Sequence, residues 1–126
     1  MRRGYPAIVI VALVAVAACE SDSAPSGGGG GTTGPTITIT SSGVSPKTLT
    51  VSPGTQVTFL NSDSRPHDMA SDPHPTHENC TAINQVGVLA AGQSRQTGNL
   101  NTVRSCGYHD HSLPQNTSLL GTIVVQ

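Results

Sequence analysis

The chain contains several short stretches in which apolar and polar residues alternate, as they do in strands that bury one face. The clearest is Thr36–Thr40, where threonine and isoleucine alternate and every residue is β-branched. Ser52-Pro53-Gly54 and Ala90-Ala91-Gly92 are turn signals that end two of the stretches. No segment has the apolar stripe of a helix of about ten residues or more. The pattern predicts strands at Thr36–Thr40, Lys47–Val51, Thr55–Leu60, Val86–Leu89, Ser94–Leu100, Asn101–Ser105 and Leu119–Val125.

Strands this short, separated by turns, predict an all-β domain built as an antiparallel sandwich or barrel. Two long polar stretches, Asn61–Gln85 and Gly107–Ser118, interrupt the pattern and are expected to be loops. Together they hold all five histidines of the chain. Loops carried on a rigid sheet are where function is commonly found, so the functional site is expected in these two stretches.

Aromatic residues make up only 2% of the sequence, and charged residues 10%. A small domain with so few large side chains has a thin core, which predicts an added cross-link such as a disulfide or a metal. The formal net charge is −1, with six lysine and arginine residues in total. This balance excludes a nucleic-acid-binding protein that neutralises phosphate, because so few cations cannot form a basic face.

The N-terminal part has the pattern of an export signal followed by a tether. Arg2 and Arg3 precede an apolar run that is too short to span a bilayer comfortably. The run ends in Ala17-Ala18-Cys19, which resembles a bacterial lipobox, so residues 1–18 are predicted to be a lipoprotein signal peptide and Cys19 the lipidated residue. Residues 19–35 are rich in glycine and serine and are predicted to be a flexible tether. We therefore expect a protein of the cell envelope, lipid-anchored to a membrane on its periplasmic or extracellular face.

Residues 36–126 are predicted to form the folded domain, and its segments have a shared likeness. Phe59-Leu60-Asn61 leads through a short loop to Pro66-His67, and a strand, Pro53-Gly54 and a second strand come before it. Further on are the turn Leu89-Ala90-Ala91-Gly92-Gln93-Ser94 and the segment Cys106-Gly107-Tyr108-His109, which precedes the last predicted strand. In this order the segments resemble those of the plastocyanin-like, blue-copper cupredoxins. The resemblance implies a Greek-key β-sandwich or barrel that binds one copper ion.

The resemblance also implies which residues hold the metal. Carried over to this chain, it makes His67, Cys106 and His109 the equatorial copper ligands and puts Leu119 in the axial position, where the family has methionine. One thiolate and two imidazoles suit both Cu(I) and Cu(II), so such a site is expected to transfer single electrons. The remaining histidines are reserve ligands, namely His111, His74 and His77.

The cysteine count gives a rival interpretation of Cys106. If Cys19 is lipidated, Cys80 and Cys106 remain as an even pair in an oxidising compartment and could form a disulfide. Cys106 cannot be both a disulfide partner and a copper thiolate. With the disulfide, the metal site would be histidine-only, of a type 2 copper or zinc kind. The candidates for such a site are His67, His109, His111, and also His74 and His77.

The sequence leaves three functions open. The first is a membrane-tethered cupredoxin-like protein that transfers single electrons or handles copper, with an unknown redox partner or copper donor or acceptor. The second is a histidine-only site beside a Cys80–Cys106 disulfide, serving metal binding, storage or a superoxide dismutase-like activity. The third is a metal-free structural or adhesive sandwich. An electron carrier or copper-binding protein is expected in preference to an enzyme.

Overall fold

The computed structural model describes residues 34–126, so the predicted signal peptide, the lipidated Cys19 and nearly all of the tether lie outside the described residues. Within residues 34–126, no helix is long and apolar enough to cross a membrane. Two short 3-10 helices are present, at Thr81–Gln85 and Thr117–Leu119. The strands are β1 (Thr36–Thr40), β2 (Gly43–Ser45), β3 (Thr48–Val51), β4 (Thr58–Asn61), β5 (His67–Ser71), β6 (Gly87–Leu89), β7 (Ser94–Gln96), β8 (Arg104–Asp110) and β9 (Gly121–Val125).

The strands form two sheets around a common core. One sheet has the order β2-β1-β4-β7 and the other has the order β3-β9-β8-β5-β6. The predicted all-β sandwich is confirmed, but both sheets are mixed rather than purely antiparallel. Strand β1 runs parallel to β4, and β3 runs parallel to β9, whereas the other pairs between these strands are antiparallel.

The core is built from the inward residues of both sheets. Ile37 and Ile39 on β1 are fully buried, as the strict alternation of that strand predicts. The rings of Phe59 and Tyr108 meet edge to face in the middle, with centroids 5.0 Å apart. Burial raises the pKa of Tyr108 above its ordinary value, so its hydroxyl stays neutral. This aromatic pair therefore joins the two sheets within a core that is otherwise mainly aliphatic.

Two strands lie where the sequence predicts loops. Strand β5 lies inside the expected loop Asn61–Gln85, and β8 runs on through the start of the expected loop at Gly107. The prediction was wrong for β5 because two of its inward positions, His67 and Ser71, carry polar side chains that are hydrogen-bonded inside the protein. Pairing with neighbouring strands, rather than local hydrophobic alternation, decides the structure here.

A disulfide joins Cys80 to Cys106. Cys80 precedes the first 3-10 helix, and Cys106 lies in the middle of β8. Both residues are buried and belong to the apolar core. The bond ties the segment that follows β5 back to the central strand of the larger sheet, and it supplies the cross-link expected for a thin core.

Removing the disulfide is expected to destabilise the fold. In the loop-entropy account, a cross-link between residues 26 positions apart contributes roughly 3 kcal/mol. The double variant Cys80→Ala/Cys106→Ala should lose about this free energy of unfolding in a urea titration. The wild type in a thiol reductant should lose a similar amount, whereas the double variant should not respond to the reductant. An unchanged free energy of unfolding in the double variant would contradict this prediction.

A methyl group at Gly121 is expected to disturb the core. The added Cβ would overlap the phenol group of Tyr108, which is fully buried and cannot move aside. Overpacking of this kind costs about 1–3 kcal/mol, so Gly121→Ala should lower the urea midpoint accordingly. Gly34→Ala is the matched control, since no atom lies within 4 Å of its added Cβ. Equal stability of the two variants would speak against the tight contact.

Candidate metal centre

The pairing of β5 with β8 decides which side chains face the core and which face outward. Ala70 lies opposite His109, and Met69 lies opposite Asp110. Since successive side chains of a strand point to opposite faces, Met69 and Asp110 face the core. His109 therefore stands on the outer face of the larger sheet, next to Ala70. It is nevertheless only 2% exposed, because another segment covers it.

The covering segment is the loop of residues 72–79, which connects β5 to Cys80. Its first residue, Asp72, forms two hydrogen bonds with β8. The backbone N–H of Asp72 donates to the carbonyl of Gly107 over 3.0 Å, and Asp72 Oδ1 accepts from His109 Nδ1 over 2.6 Å. A side chain at Gly107 would overlap the Asp72 carboxylate, so glycine leaves the room that this carboxylate occupies. The loop is thereby fixed across the outer face of β8.

This arrangement brings four imidazoles together. We call His74, His77, His109 and His111 the four-histidine cluster. One ring nitrogen from each lies within 4.8 Å of those of the others. The rings of His77 and His109 are stacked, with centroids 5.0 Å apart, and His74 stands 5.5 Å from each of them. His74 and His77 lie in the loop, His109 lies in β8, and His111 is the residue just after β8.

The hydrogen bonds of the cluster leave ring nitrogens free to bind an ion. Because His109 Nδ1 donates to Asp72, His109 Nε2 carries a lone pair, and this atom is buried without a hydrogen-bond partner among the described residues. His77 Nδ1 donates to the carbonyl of Ser71 over 2.8 Å, which leaves its Nε2 with a lone pair as well. That Nε2 is hydrogen-bonded to His111 Nδ1 over 2.8 Å, so an ion bound by both residues would replace this hydrogen bond.

His77 is held in an unusual backbone conformation. Its φ of 53° lies in the left-handed region, which non-glycine residues rarely adopt. Its N–H donates to the carbonyl of Pro73 over 2.7 Å, and its carbonyl accepts from Asn84 Nδ2 over 2.8 Å. Asn84 Oδ1 in turn accepts from the N–H of Ser71 over 2.9 Å. These contacts fix a strained residue at a site where its side chain meets three other imidazoles.

His74 completes the cluster on the solvent side. Desolvation by its neighbours lowers the pKa of His74 below its ordinary value, and repulsion from His111, His109 and His77 lowers it further. His74 therefore favours the neutral form, which is the form that binds a metal.

His67 lies apart from the cluster, on the inner face of the same sheet. Its Nδ1 lies 2.7 Å from Asp110 Oδ2, and its Nε2 lies 3.0 Å from Asp63 Oδ2. All three side chains are buried. The hydrogen bond from His67 holds the pKa of Asp63 below its ordinary value, against the opposing effect of desolvation. Both ring nitrogens of His67 are hydrogen-bonded to carboxylates, so neither is left without a partner.

The structure does not bring the expected ligands His67, Cys106 and His109 together. Cys106 is bound to Cys80 and has no free thiolate. It also lies four residues from Asp110, the partner of His67, which is about 13 Å along a strand at roughly 3.3 Å per residue. His67 and His109 face opposite sides of the sheet. These three side chains therefore cannot share one ion.

The other candidate residues are placed as follows. Leu119, expected in an axial position, is 3% exposed and packs in the apolar core. The reserve ligands His111, His74 and His77 gather around His109. The acidic residues near the histidines are Asp63, Asp68, Asp72, Glu78 and Asp110, and one of them was expected to hold a ligand imidazole. Asp72 does so for His109. Sequence reasoning missed Asn84, which holds the backbone of His77, and no local signal points to it.

No protein-family model matches the chain, and no curated protein matches it. Solved structures do. The purple cupredoxin from Nitrosopumilus maritimus is 22% identical with a TM-score of 0.57, and the match covers 73% of this chain and 99% of that one. Amicyanin from Paracoccus versutus is 17% identical with a TM-score of 0.60, covering 75% and 83%. Plastocyanin from Dryopteris crassirhizoma is 15% identical with a TM-score of 0.56, covering 72% and 99%.

At these sequence identities, the likeness to the solved structures shows the fold alone. The matched structures are a purple cupredoxin, a plastocyanin and an amicyanin, and each match spans most of the neighbour's own length. The described part of this chain, with its two sheets and single shared core, has the cupredoxin fold.

Proposed function

We propose that this protein binds one copper ion at the four-histidine cluster and handles copper outside the cytoplasm. The observation that carries the proposal is the buried Nε2 of His109, which belongs to the four-histidine cluster and has no hydrogen-bond partner among the described residues. A buried polar atom left without a partner costs about 1–3 kcal/mol. An ion bound by this nitrogen would remove that cost.

The cluster is close to the dimensions of a metal site. Two nitrogens bound about 2.0–2.1 Å from one ion lie at most about 4.2 Å apart. The four ring nitrogens lie within 4.8 Å of one another, so they would need to close in by only about half an ångström. The distance of 2.8 Å between His77 Nε2 and His111 Nδ1 suits two neighbouring ligands of the same ion.

The donor set favours copper over softer or harder alternatives. Neutral imidazoles suit copper, zinc and nickel, and among divalent ions a given nitrogen site binds Cu²⁺ most tightly. Two of the similar solved structures are Cu(I) forms of amicyanin. A copper ion bound here would supply one-electron Cu(I)/Cu(II) chemistry without a thiolate bond. The residues of this chain would hold it, with Asp72 fixing His109 and Asn84 fixing the loop at His77.

The surface position of the cluster supports copper handling. His74 and His111 are exposed and His77 is half-buried, so only His109 lies beneath the surface. An ion held mainly by surface imidazoles can be exchanged with a copper donor or acceptor, which is an unknown partner. A lipid anchor at Cys19 would keep this exchange at a membrane of the cell envelope.

The first expected result is that the purified protein binds one equivalent of Cu(II) without an intense blue colour, with nitrogen ligands in its EPR spectrum. His109→Ala should weaken copper binding by more than the roughly 10–100-fold typical of losing a partner of a ligand. The control is His67→Gln, whose circular dichroism spectrum is checked for folding and which should still bind one ion. An intense blue band, or copper loss in the control alone, would contradict the assignment.

Asp72 should matter because it orients the ligand His109. Asp72→Asn removes the charge from the hydrogen bond to His109 Nδ1, and a loss of about 10–100-fold in copper affinity is expected. Calorimetric titration measures this. Glu78→Gln is the matched control, because it removes an exposed charge from the same loop without touching an imidazole hydrogen bond. If the two variants bound copper with equal affinity, the hydrogen bond from His109 to Asp72 would have no role in copper binding beyond the charge of Asp72.

A further inference from the structure

A cleft of about 420 Å³ opens beside the four-histidine cluster. His77 and His111 form part of its wall, and Ala70 on the outer face of β5 lies against it. At about 30 Å³ for each water molecule, such a volume has room for a small ring and several waters. The cleft therefore borders the cluster at His77 and His111.

The cluster is open on this side. The loop of residues 72–79 covers His109, whereas the imidazoles that border the cleft are the partly exposed His77 and the exposed His111. Structural metal sites are closed by protein ligands, and sites that react or exchange keep an accessible position. An ion bound by the cluster would therefore be accessible from the cleft and not from the protein interior.

The charge of the cleft limits what can enter. Asp68 is the one acidic residue of the lining, and no lysine or arginine among residues 34–126 lines the cleft. The negative charge of Asp68 opposes the attraction of a bound copper ion for anions, and its carboxylate can accept hydrogen bonds from N–H groups. The Thr76 hydroxyl adds a second polar group on the same lining. A neutral ring with a lone pair at one end and an N–H at the other matches both the open position and Asp68.

From these features we infer that the cleft admits a neutral nitrogen donor of the imidazole class, which binds the copper ion at its accessible position. The inference rests on the proposed copper site. The same chemistry is offered by a free heterocycle and by a histidine side chain of a copper donor or acceptor. In the second case, the cleft is the entrance through which the incoming imidazole joins the ion before a surface ligand of the cluster is released. No oxidant or reductant is needed, since a copper–nitrogen bond forms and another breaks.

The test uses the full chain loaded with one equivalent of Cu(II), with copper content measured by equilibrium dialysis. Imidazole and N-acetylhistidine methylamide are titrated while the EPR and visible spectra are recorded. A saturable spectral change with copper retained is expected. A spectral change with both probes indicates that the cleft admits a histidine side chain of another protein. A spectral change with imidazole alone indicates that it admits only a free molecule. An unchanged spectrum, or stripping of the metal, would overturn the inference while leaving the copper site intact. Failure to bind copper would overturn both.

A pair of variants tests the role of the cleft. Asp68→Asn should weaken imidazole binding about two- to fivefold, the range of a surface charge interaction, and should strengthen the binding of azide, an anionic probe, by a similar factor. Glu78→Gln removes an equal charge outside the cleft lining and should change neither. Equal effects of the two substitutions would mean that the probes do not bind in the cleft.

Discussion

The register between β5 and β8 is the constraint on which the rest of the structure depends. With Ala70 opposite His109 and Met69 opposite Asp110, one face of this strand pair belongs to the core and the other to the candidate metal centre. A slip by one residue would exchange the two faces, turning His109 inward and Asp110 outward. The large apolar residues on either side oppose such a slip, since Met69 and Tyr108 are both fully buried.

The loop of residues 72–79 covers the outer face of this strand pair and completes the candidate metal centre. It is fixed at its start by Asp72 on β8 and beyond its end by the disulfide from Cys80 to the same strand. Between these two points, the loop can present His74 and His77 in only a narrow set of positions. The left-handed backbone at His77 is tolerated because neighbouring hydrogen bonds hold it. A pre-positioned set of ligands loses less entropy when an ion binds.

The sequence predicted the fold more completely than the site, for physical reasons that particular residues illustrate. Strand β1 is found with its predicted bounds because its alternation reports burial directly. Strand β5 was missed because hydrogen bonds, rather than apolar side chains, satisfy its inward positions. The set of His67, Cys106 and His109 came from family likeness, which carries no information on the face of the sheet each residue occupies. The four-histidine cluster depends on a loop that folds back over β8, a long-range contact that no local spacing encodes. The cysteine pair was the exception, because counting alone made the disulfide an open alternative.

The trio of Asp63, His67 and Asp110 bears on the order in which the protein folds and binds a metal ion. These side chains are hydrogen-bonded to one another inside the sandwich, and the aromatic pair and the disulfide cross-link the core beside them. The four-histidine cluster lies outside this framework. Under the proposed function, folding and disulfide formation are then separate steps from copper binding, and the domain can be complete before an ion reaches the cluster.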